Sequence, residues 1–320
     1  MGGNIPQKWV DLRMIVTVTM NPAMDKTAQV DTFRAGGLNR LFGLTQDAGG
    51  KGVNVSKMIA SLGGRSIATG FLGGAAGQEI AARLQALGVE TDFVETCQPT
   101  RTNLKIVSGD GVVTECNEPG ALVQPEEEAA LSQKLADYAK PGVTFVLAGS
   151  LPQGVGQDAY KKLTLALKAR GASVCLDADG EVFRQALEAK PDFIKPNRFE
   201  LMQYFGLDTP PEIEVCKSLC GRLIRQGIGF VALSLGPEGA LFVTAGESLY
   251  APGLSVPVRS TVGAGDSMAA ALVYGFEAGM GLREAASLAV AASAGAVMTE
   301  GTSPPDRQTV DMLLERVGFA

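Results

Sequence analysis

The residues best suited to chemistry lie in a loop of small residues that ends in an acid, STVGAGD at 260–266, and leads into an alanine-rich stretch. The first backbone N–H groups of a helix lack partners and the helix dipole is positive there, which suits a phosphate oxygen. Gly263 and Gly265 leave room for an anion to approach the backbone. Asp266 could take a proton from a nucleophile while the amides hold an incoming phosphoryl group. The alternative is that Asp266 only caps the helix.

A second glycine loop, AGGKGVN, occupies residues 48–54. Gly49 and Gly50 permit close approach to the backbone, Lys51 offers a cation, and Asn54 projects from the first turn of a predicted helix. The loop is not a phosphate-binding P-loop, because Gly52 stands where that motif has serine or threonine. Taken alone, the pattern is more typical of a tight strand-to-helix turn than of a binding site.

Three further loops follow predicted strands. The sequence NPAMD places Asp25 just after the first strand, and KPNRFE at 195–200 follows a later one. Asn197 and Glu200 are three residues apart and could face one ligand if a helix begins at Asn197, although a capping box gives the same spacing. The segment Ser234–Gly239 is most simply a turn between strands.

Composition narrows the class of protein. The chain has 320 residues, of which 46% are hydrophobic and 19% charged, so it is expected to fold. It contains no histidine, which excludes Ser-His-Asp and Cys-His mechanisms and histidine-ligated metals. A net charge of −6 without a basic face disfavours nucleic acid as a partner. Five cysteines without a CxxC pair, and no apolar stretch long enough for a bilayer, predict a cytoplasmic protein with no membrane contact.

Strand-like and helix-like stretches alternate along most of the chain, which predicts an α/β fold with a mainly parallel sheet covered by helices on both faces. Ligands bind at the carboxyl ends of such strands, where the glycine loops lie. Several strand-like pieces without intervening helices predict a small β lid, formed from about residues 29–47 and 93–117. We expect one α/β domain over residues 14–320, preceded by an N-terminal extension at 1–13.

These loops, in this order, resemble the ribokinase-like carbohydrate kinases, also called the PfkB family. The resemblance extends from Met14 to about Val317, and the GGKG-x-N and GAGD loops match the two signatures of that family. Four further segments resemble its phosphofructokinase branch, closest to the 1-phosphofructokinases and tagatose-6-phosphate kinases: NPAMD at 21–25, TRTNLKI at 100–106, GSLP at 149–152 and KPNRFE at 195–200.

The resemblance implies a role for each matching residue. Asp266 is the expected catalytic base for a sugar hydroxyl, and Gly263, Ala264 and Gly265 form the expected anion hole. The expected phosphosugar-binding residues are Asp25, Gly49, Gly50, Lys51, Asn54, Arg101 and Asn103. The expected nucleotide-binding residues are Lys195, Asn197, Ser234, Gly236, Gly239 and Thr261. Glu200 is expected to orient magnesium through water.

The activity implied by the resemblance is phosphoryl transfer from ATP, with Mg²⁺, to a phosphorylated ketohexose. Fructose 1-phosphate, converted to fructose 1,6-bisphosphate, is the expected acceptor, and two lids are expected to clasp in a homodimer. Leu38 stands where 6-phosphofructokinase relatives often have lysine, which disfavours fructose 6-phosphate and leaves Arg40 as a lid cation. The alternatives are a tagatose-6-phosphate kinase or another sugar kinase of the family, and a non-catalytic sensor of sugar phosphate or nucleotide. The absence of GxGxxG disfavours an NAD-dependent oxidoreductase.

Overall fold

The computed structural model describes residues 14–320, and the expected extension at 1–13 lies outside the described residues. The strands are β1 (Met14–Thr19), β2 (Ala23–Val30), β3 (Gly43–Gly49), β4 (Ile67–Leu72), β5 (Glu90–Thr91), β6 (Val94–Glu95), β7 (Arg101–Ser108), β8 (Val113–Asn117), β9 (Val143–Ala148), β10 (Ser173–Asp177), β11 (Phe193–Ile194), β12 (Phe230–Ser234), β13 (Ala240–Val243) and β14 (Ser248–Ala251). The helices are α1 (Lys51–Ser61), α2 (Gly74–Ala86), α3 (Pro125–Tyr138), α4 (Ala159–Ala169), α5 (Gly180–Leu187), α6 (Arg198–Phe205), α7 (Ile213–Arg225), α8 (Ala264–Glu277), α9 (Leu282–Ala296) and α10 (Arg307–Leu314).

Ten strands form the main sheet in the order β14-β13-β12-β11-β10-β9-β1-β4-β5, with β6 paired to β4. The pairs from β4 through β1, β9, β10 and β11 to β12 are parallel, and the last two, β12–β13 and β13–β14, are antiparallel. The prediction of a mainly parallel sheet is therefore confirmed. Parallel pairing brings the carboxyl ends of the central strands to one edge, where the predicted site loops begin.

Two cores lie on opposite faces of the main sheet. Successive side chains of β9 alternate between them, since Phe145 and Leu147 pack in one core and Val146 and Ala148 in the other. Helices α3 to α7 contribute to the first core, and α1, α8, α9 and α10 to the second. Both faces of the sheet are thus buried, which explains why its strands are continuous apolar runs rather than alternating ones.

Four strands form a separate small sheet in the order β3-β2-β7-β8. Its extent differs from the β lid expected at about 29–47 and 93–117: β2 begins earlier, at Ala23, and the segment near residue 94 is not part of it. Val94 instead pairs with Phe71 in parallel and joins the first core. Burial of this apolar side chain explains the difference, whereas the polar sequence of β2 gave no alternating pattern to mark its start.

No helix between residues 14 and 320 is long and apolar enough to cross a membrane. All five cysteines are free thiols, three of them buried and two exposed. Cys216 and Cys220 are buried in α7.

The β1–β4 pair ends at a close backbone approach. Gly70 is opposite Thr19 in the parallel register and has φ +136°, and a Cβ there would lie 1.9 Å from the Thr19 carbonyl oxygen. Only glycine can occupy this position without displacing the end of β1, from which the first site loop starts.

We therefore expect Gly70→Ala to lower the free energy of unfolding by roughly 3 kcal/mol or more, because a disfavoured φ and an overlap with backbone add together. Gly63→Ala is the matched control, since Gly63 has φ +82° but no atom within 4 Å of the added Cβ. That control should cost only about 1–2 kcal/mol. Urea denaturation measures both, and equal losses would contradict the overlap.

Candidate active site

A cavity of about 720 Å³ opens at the carboxyl ends of the central strands. Its walls include most of the residues expected to bind nucleotide, metal or the transferred phosphoryl group: Lys195, Asn197, Glu200, Ser234, Gly236, Gly239, Thr261, Ala264, Gly265 and Asp266. Lys51, expected on the sugar side, also lines it. The fold therefore gathers residues separated by more than 200 positions in the chain at one edge of the sheet.

The start of α8 leaves backbone amides exposed toward this cavity. Gly263 is the N-cap, with φ +80° in the left-handed region, which explains the glycine. The N–H of Ser267 donates to the Gly263 carbonyl over 2.8 Å, so the amides that precede Ser267 in α8 have no helix partner. Ala264 and Gly265 line the cavity at this point, which makes the expected anion hole geometrically available.

Asp266 is the third residue of α8 and is only 7% exposed. Its Oδ2 accepts a hydrogen bond of 2.8 Å from Asn54 Nδ2, which reaches across from α1. The N-cap is Gly263 and receives no side-chain hydrogen bond, so the alternative that Asp266 merely caps the helix is not supported.

Burial is the largest influence on Asp266 and raises the pKa of its carboxyl group above the ordinary aspartate value. The nearby Asp177 carboxylate raises this pKa further, while the Asn54 hydrogen bond and the charges of Lys51 and Lys195 lower it. The net shift is upward. A more basic carboxylate is a better proton acceptor, so the environment suits a general base.

Asp177 is a component of the site that sequence reasoning missed. It is the last residue of β10 and is 1% exposed, and its carboxylate lies between two lysines. Lys51 Nζ is 3.0 Å from Oδ1 and Lys195 Nζ is 3.2 Å from Oδ2. Burial raises the pKa of Asp177, but the two lysines lower it by more, so it stays below the usual range. An acid at the carboxyl end of a buried strand was the available signal.

The two lysines gain a fixed position from this pairing. Burial lowers the pKa of Lys51, but Asp177, followed by Glu200 and Asp266, raises it to a net value above the ordinary one. Lys195 Nζ would lie 3.0 Å from a Cβ added at Gly265, so this cation is close to the start of α8. Two positive charges are thus held beside the amides of the candidate anion hole.

The glycine loop before α1 packs too tightly for side chains. Gly50 is the N-cap of α1 with φ +111°, and a Cβ at Gly49 would lie 2.2 Å from Asp25 Oδ2. These contacts bring the loop onto the end of β2. Close packing therefore requires glycine at both positions, against Asp25 of the small sheet for Gly49 and against Thr19 and Pro22 for Gly50.

Asp25, Arg101 and Asn103 form a second cluster on the small sheet. The parallel register of β2 and β7 sets Asp25 opposite Asn103, whose Nδ2 donates to Asp25 Oδ1 over 2.8 Å. Burial raises the pKa of Asp25 above the ordinary value, against the Asn103 hydrogen bond and three nearby cations. Arg101 donates to the carbonyl oxygens of Asn21 (3.1 Å) and Glu118 (2.8 Å).

This second cluster keeps unsatisfied hydrogen-bonding capacity. Arg101 Nε and Asn103 Oδ1 are buried and have no hydrogen-bond partner among the described residues, and the same holds for Asn54 Oδ1 beside Asp266. Buried polar groups are rarely left unpaired in a folded protein without a functional reason. A polar ligand between the two clusters is the simplest partner for these atoms.

Asn197 and Glu200 form the capping box that was the alternative explanation of their spacing. Asn197 Oδ1 accepts from the Glu200 N–H, and Glu200 Oε2 accepts from the Asn197 N–H, both over 2.8 Å. Glu200 also lines the cavity, and burial raises its pKa. No group of three or more acidic, cysteine or histidine side chains able to hold a metal occurs within residues 14–320. A single carboxylate fits Mg²⁺, which usually keeps waters and binds substrate phosphates.

The far end of the cavity is largely apolar, and sequence reasoning missed its lining. The loop at 252–258 supplies Leu254 and Val256, helix α9 supplies Val290, and Val297 directly follows α9. Ser234 of the same cavity is bridged to Asn197, and Gly236–Glu238 forms a single 3₁₀ turn between β12 and β13, where a turn between strands was expected. These apolar side chains form a slot beside the amide and cation donors, and such a mixed lining is typical of small-molecule sites.

The chain is similar to known proteins over most of its length. The family model for pfkB family carbohydrate kinases matches residues 15–309. A 1-phosphofructokinase of Rhodobacter capsulatus is 39% identical over 301 residues, covering 92% of this chain and 94% of the relative. Further relatives that are 32–36% identical are 1-phosphofructokinases as well.

Solved structures show the same fold. Phosphofructokinase-2 of Escherichia coli in complex with substrates and products has a TM-score of 0.90 and 28% identity, covering 95% of this chain and 99% of that one. Ribokinase of Thermotoga maritima has a TM-score of 0.75 and 20% identity, covering 95% and 100%, which establishes the ribokinase-like fold alone. The match of the family model over most of the chain, together with these relatives, shows that the chain belongs to the pfkB family of carbohydrate kinases.

Proposed function

We propose that this protein transfers the terminal phosphoryl group of ATP to the 6-hydroxyl of fructose 1-phosphate, giving fructose 1,6-bisphosphate and ADP. One observation carries the proposal: a buried, hydrogen-bonded Asp266 lies at a helix N-terminus in a cavity that also holds Lys51 and Lys195. Relatives of up to 39% identity that are 1-phosphofructokinases support the choice of acceptor.

In the proposed reaction Asp266 accepts the proton of the attacking sugar hydroxyl, and its raised pKa favours that transfer. Asn54 holds the carboxylate in place through its hydrogen bond. The free amides of Gly263, Ala264 and Gly265 receive the negative charge of the transferred phosphoryl group. These roles require no histidine and no covalent enzyme intermediate. Catalysis of phosphoryl transfer consists mainly of positioning the reactants and neutralising their charge.

The phosphate of the acceptor requires cations on the sugar side. Lys51 faces the cavity, and the buried, unpartnered Nε of Arg101 lies in the cluster with Asp25 and Asn103. Asp25 and Asn103 suit the sugar hydroxyls. Gly49, which precedes Gly50 in the glycine loop, lies against Asp25. We assign these residues to the phosphosugar.

The nucleotide occupies the remainder of the cavity. Lys195 and Thr261 meet the phosphates, and Asn197, Ser234, Gly236 and Gly239 line the path toward the apolar slot, which takes the adenine. Mg²⁺, when bound, would neutralise phosphate charge and orient the transferred group. Glu200 is the residue that would hold it, through water, since its capping bond uses only Oε2.

We further propose a cytoplasmic homodimer. The five free cysteines suit a reducing compartment. Large apolar side chains of the small sheet and its β2–β3 connection are exposed, with Leu38 at 76% and Phe42 at 64%. A second copy of the chain would cover this surface, so that the small sheet would act as a lid that clasps its partner.

The function is tested first with purified protein, ATP and Mg²⁺, by measuring ADP release with three acceptors. We expect kcat/KM for fructose 1-phosphate to exceed that for tagatose 6-phosphate and fructose 6-phosphate by at least about tenfold, a difference of 1.4 kcal/mol in transition-state binding. A preference for tagatose 6-phosphate would keep the mechanism and replace the acceptor. Binding of sugar phosphate and nucleotide without any ADP release would indicate a sensor and refute the proposal.

The role of Asp266 is tested with Asp266→Asn, which keeps an oxygen to accept from Asn54. We expect kcat to fall by about 10²–10⁴-fold, as is usual on loss of a positioned base. The free energy of unfolding at neutral pH should not decrease, because a buried charge is removed. Asp179→Asn, which changes an exposed acid two residues after Asp177, is the matched control.

The pH profile gives the same test a second readout. A base must be unprotonated to act, so wild-type kcat/KM should fall as the pH is lowered through the raised pKa of Asp266, above the ordinary aspartate range. Near-normal turnover of Asp266→Asn at neutral pH would remove Asp266 from the role of base.

Glu200→Gln separates the capping role from the metal role. Glutamine keeps an oxygen that can accept from the Asn197 N–H, so thermal stability should change little. The loss of negative charge should raise the Mg²⁺ concentration needed for half-maximal activity several-fold. The measurement is a Mg²⁺ titration of activity at fixed ATP, and an unchanged midpoint would show that Glu200 is structural only.

A further inference from the structure

Lys57 is a buried cation that the reaction described above does not use. It lies in α1, one turn after Asn54, and is 5% exposed. Its Nζ donates to the Ala48 carbonyl oxygen over 2.8 Å and to Thr302 Oγ1 over 3.0 Å. Both acceptors are uncharged, although a buried ammonium is costly and is normally paired with a carboxylate.

The two acceptors belong to the two halves of the candidate active site. Ala48 is the next-to-last residue of β3 and directly precedes Gly49 and Gly50. Thr302 lies in the segment 299–303 that follows α9 and is 7% exposed. A Cβ added at Gly263 would lie 3.9 Å from Thr302, so this segment lies against the N-cap of α8 at the candidate anion hole.

A second contact links the same two parts. Gly301, with φ +60°, packs against the Asp47 side chain of β3, where an added Cβ would lie 2.7 Å from Oδ2. The segment 299–303 thus contacts both the small sheet, at Asp47, and the start of α8, at Gly263. Lys57 bonds to a residue on each side of this contact, Ala48 and Thr302. It lies on α1, the same helix from which Asn54 bonds to Asp266.

The charges around Lys57 come from four elements. Burial lowers its pKa most strongly, and Arg83 of α2 lowers it as well. Asp47 of β3, Asp25 of β2 and Asp266 of α8 raise it, and the net pKa is about 8. The ammonium is therefore charged at neutral pH, and charged donors make the stronger hydrogen bonds.

We propose that Lys57 is a positioning residue for phosphoryl transfer, which fixes the sugar-side glycine loop and the anion hole relative to each other by bonding Ala48 and Thr302. In-line transfer between two bound anions depends on their alignment, and a displacement of about 1 Å can cost about 10²-fold in rate. Loss of this link should therefore reduce kcat while nucleotide affinity is retained, because neither bond reaches the apolar slot. The kinetic readout rests on the proposed function.

The test uses Thr302→Val, which removes the hydroxyl at nearly constant volume, and Thr302→Ser, which retains it. Lys57→Met is the complementary change, and its circular dichroism spectrum checks the fold. We expect Lys57→Met and Thr302→Val each to lower kcat by about 10–100-fold with KM for ATP within about twofold. Thr302→Ser should stay close to wild type. The double variant should lose less than the product of the single losses, since both remove one link.

The results that would overturn the role of Lys57 differ from those that would overturn the proposed function. Folded Thr302→Val and Lys57→Met with wild-type kcat would overturn the proposal, as would equal losses in Thr302→Val and Thr302→Ser. If the wild-type protein itself transfers no phosphoryl group, the proposed function fails rather than this link. In that case hydrogen–deuterium exchange decides: faster exchange of the hydrogen-bonded amides at the start of α8, from Ser267 onward, in Lys57→Met supports the link, and unchanged exchange refutes it.

Discussion

The candidate site depends on one buried carboxylate held between two cations. Asp177 is the last residue of β10, which lies in the centre of the main sheet between β9 and β11. The pairing on both sides fixes the backbone of Asp177 at the carboxyl-end edge of the sheet, where the candidate site lies. Lys51 begins α1 and Lys195 follows β11, and each of them forms an ion pair with this carboxylate. Removing one member of a buried ion group leaves an uncompensated charge, so the three residues constrain one another.

This pairing has a consequence for the balance of charge around Asp266. The lysines alone would lower the pKa of Asp266 and weaken it as a base, but each of them is already partly neutralised by Asp177. Burial and the Asp177 charge together keep the pKa of Asp266 raised. A chain with a net charge of −6 can therefore hold two local cations and a carboxyl group of raised pKa in one site.

The packing around the site is as constrained as its charge. Gly49 and Gly50 are pressed against Asp25 and the end of β1, and Gly263 carries a left-handed turn in contact with the segment 299–303. Helix α1 connects these points, since Asn54 reaches α8 and Lys57 reaches both β3 and Thr302. The small sheet, the proposed base and the segment beside the proposed anion hole are thus all hydrogen-bonded to one helix.

Local patterns in the sequence were sufficient for the parallel sheet, the two glycine loops and the placement of Asp266 at a helix N-terminus. Glycine spacing, strand-like apolar runs and helix starts are short-range signals, because they follow from backbone sterics and from the period of each element. The same signals left two explanations open for Asn197 and Glu200, and the structure shows the capping box without excluding a second task for Glu200.

Tertiary structure alone decided which residues meet. The Asn54–Asp266 hydrogen bond joins residues 212 positions apart, and the Lys57–Thr302 bond joins residues 245 positions apart. Lys57 in sequence is an ordinary helical lysine, Asp177 an acid after a strand, and Val94 part of an expected lid. Their burial and partners are set by how the elements pack, because the energy of a charge or an apolar side chain depends on what surrounds it and not on its neighbours in the chain.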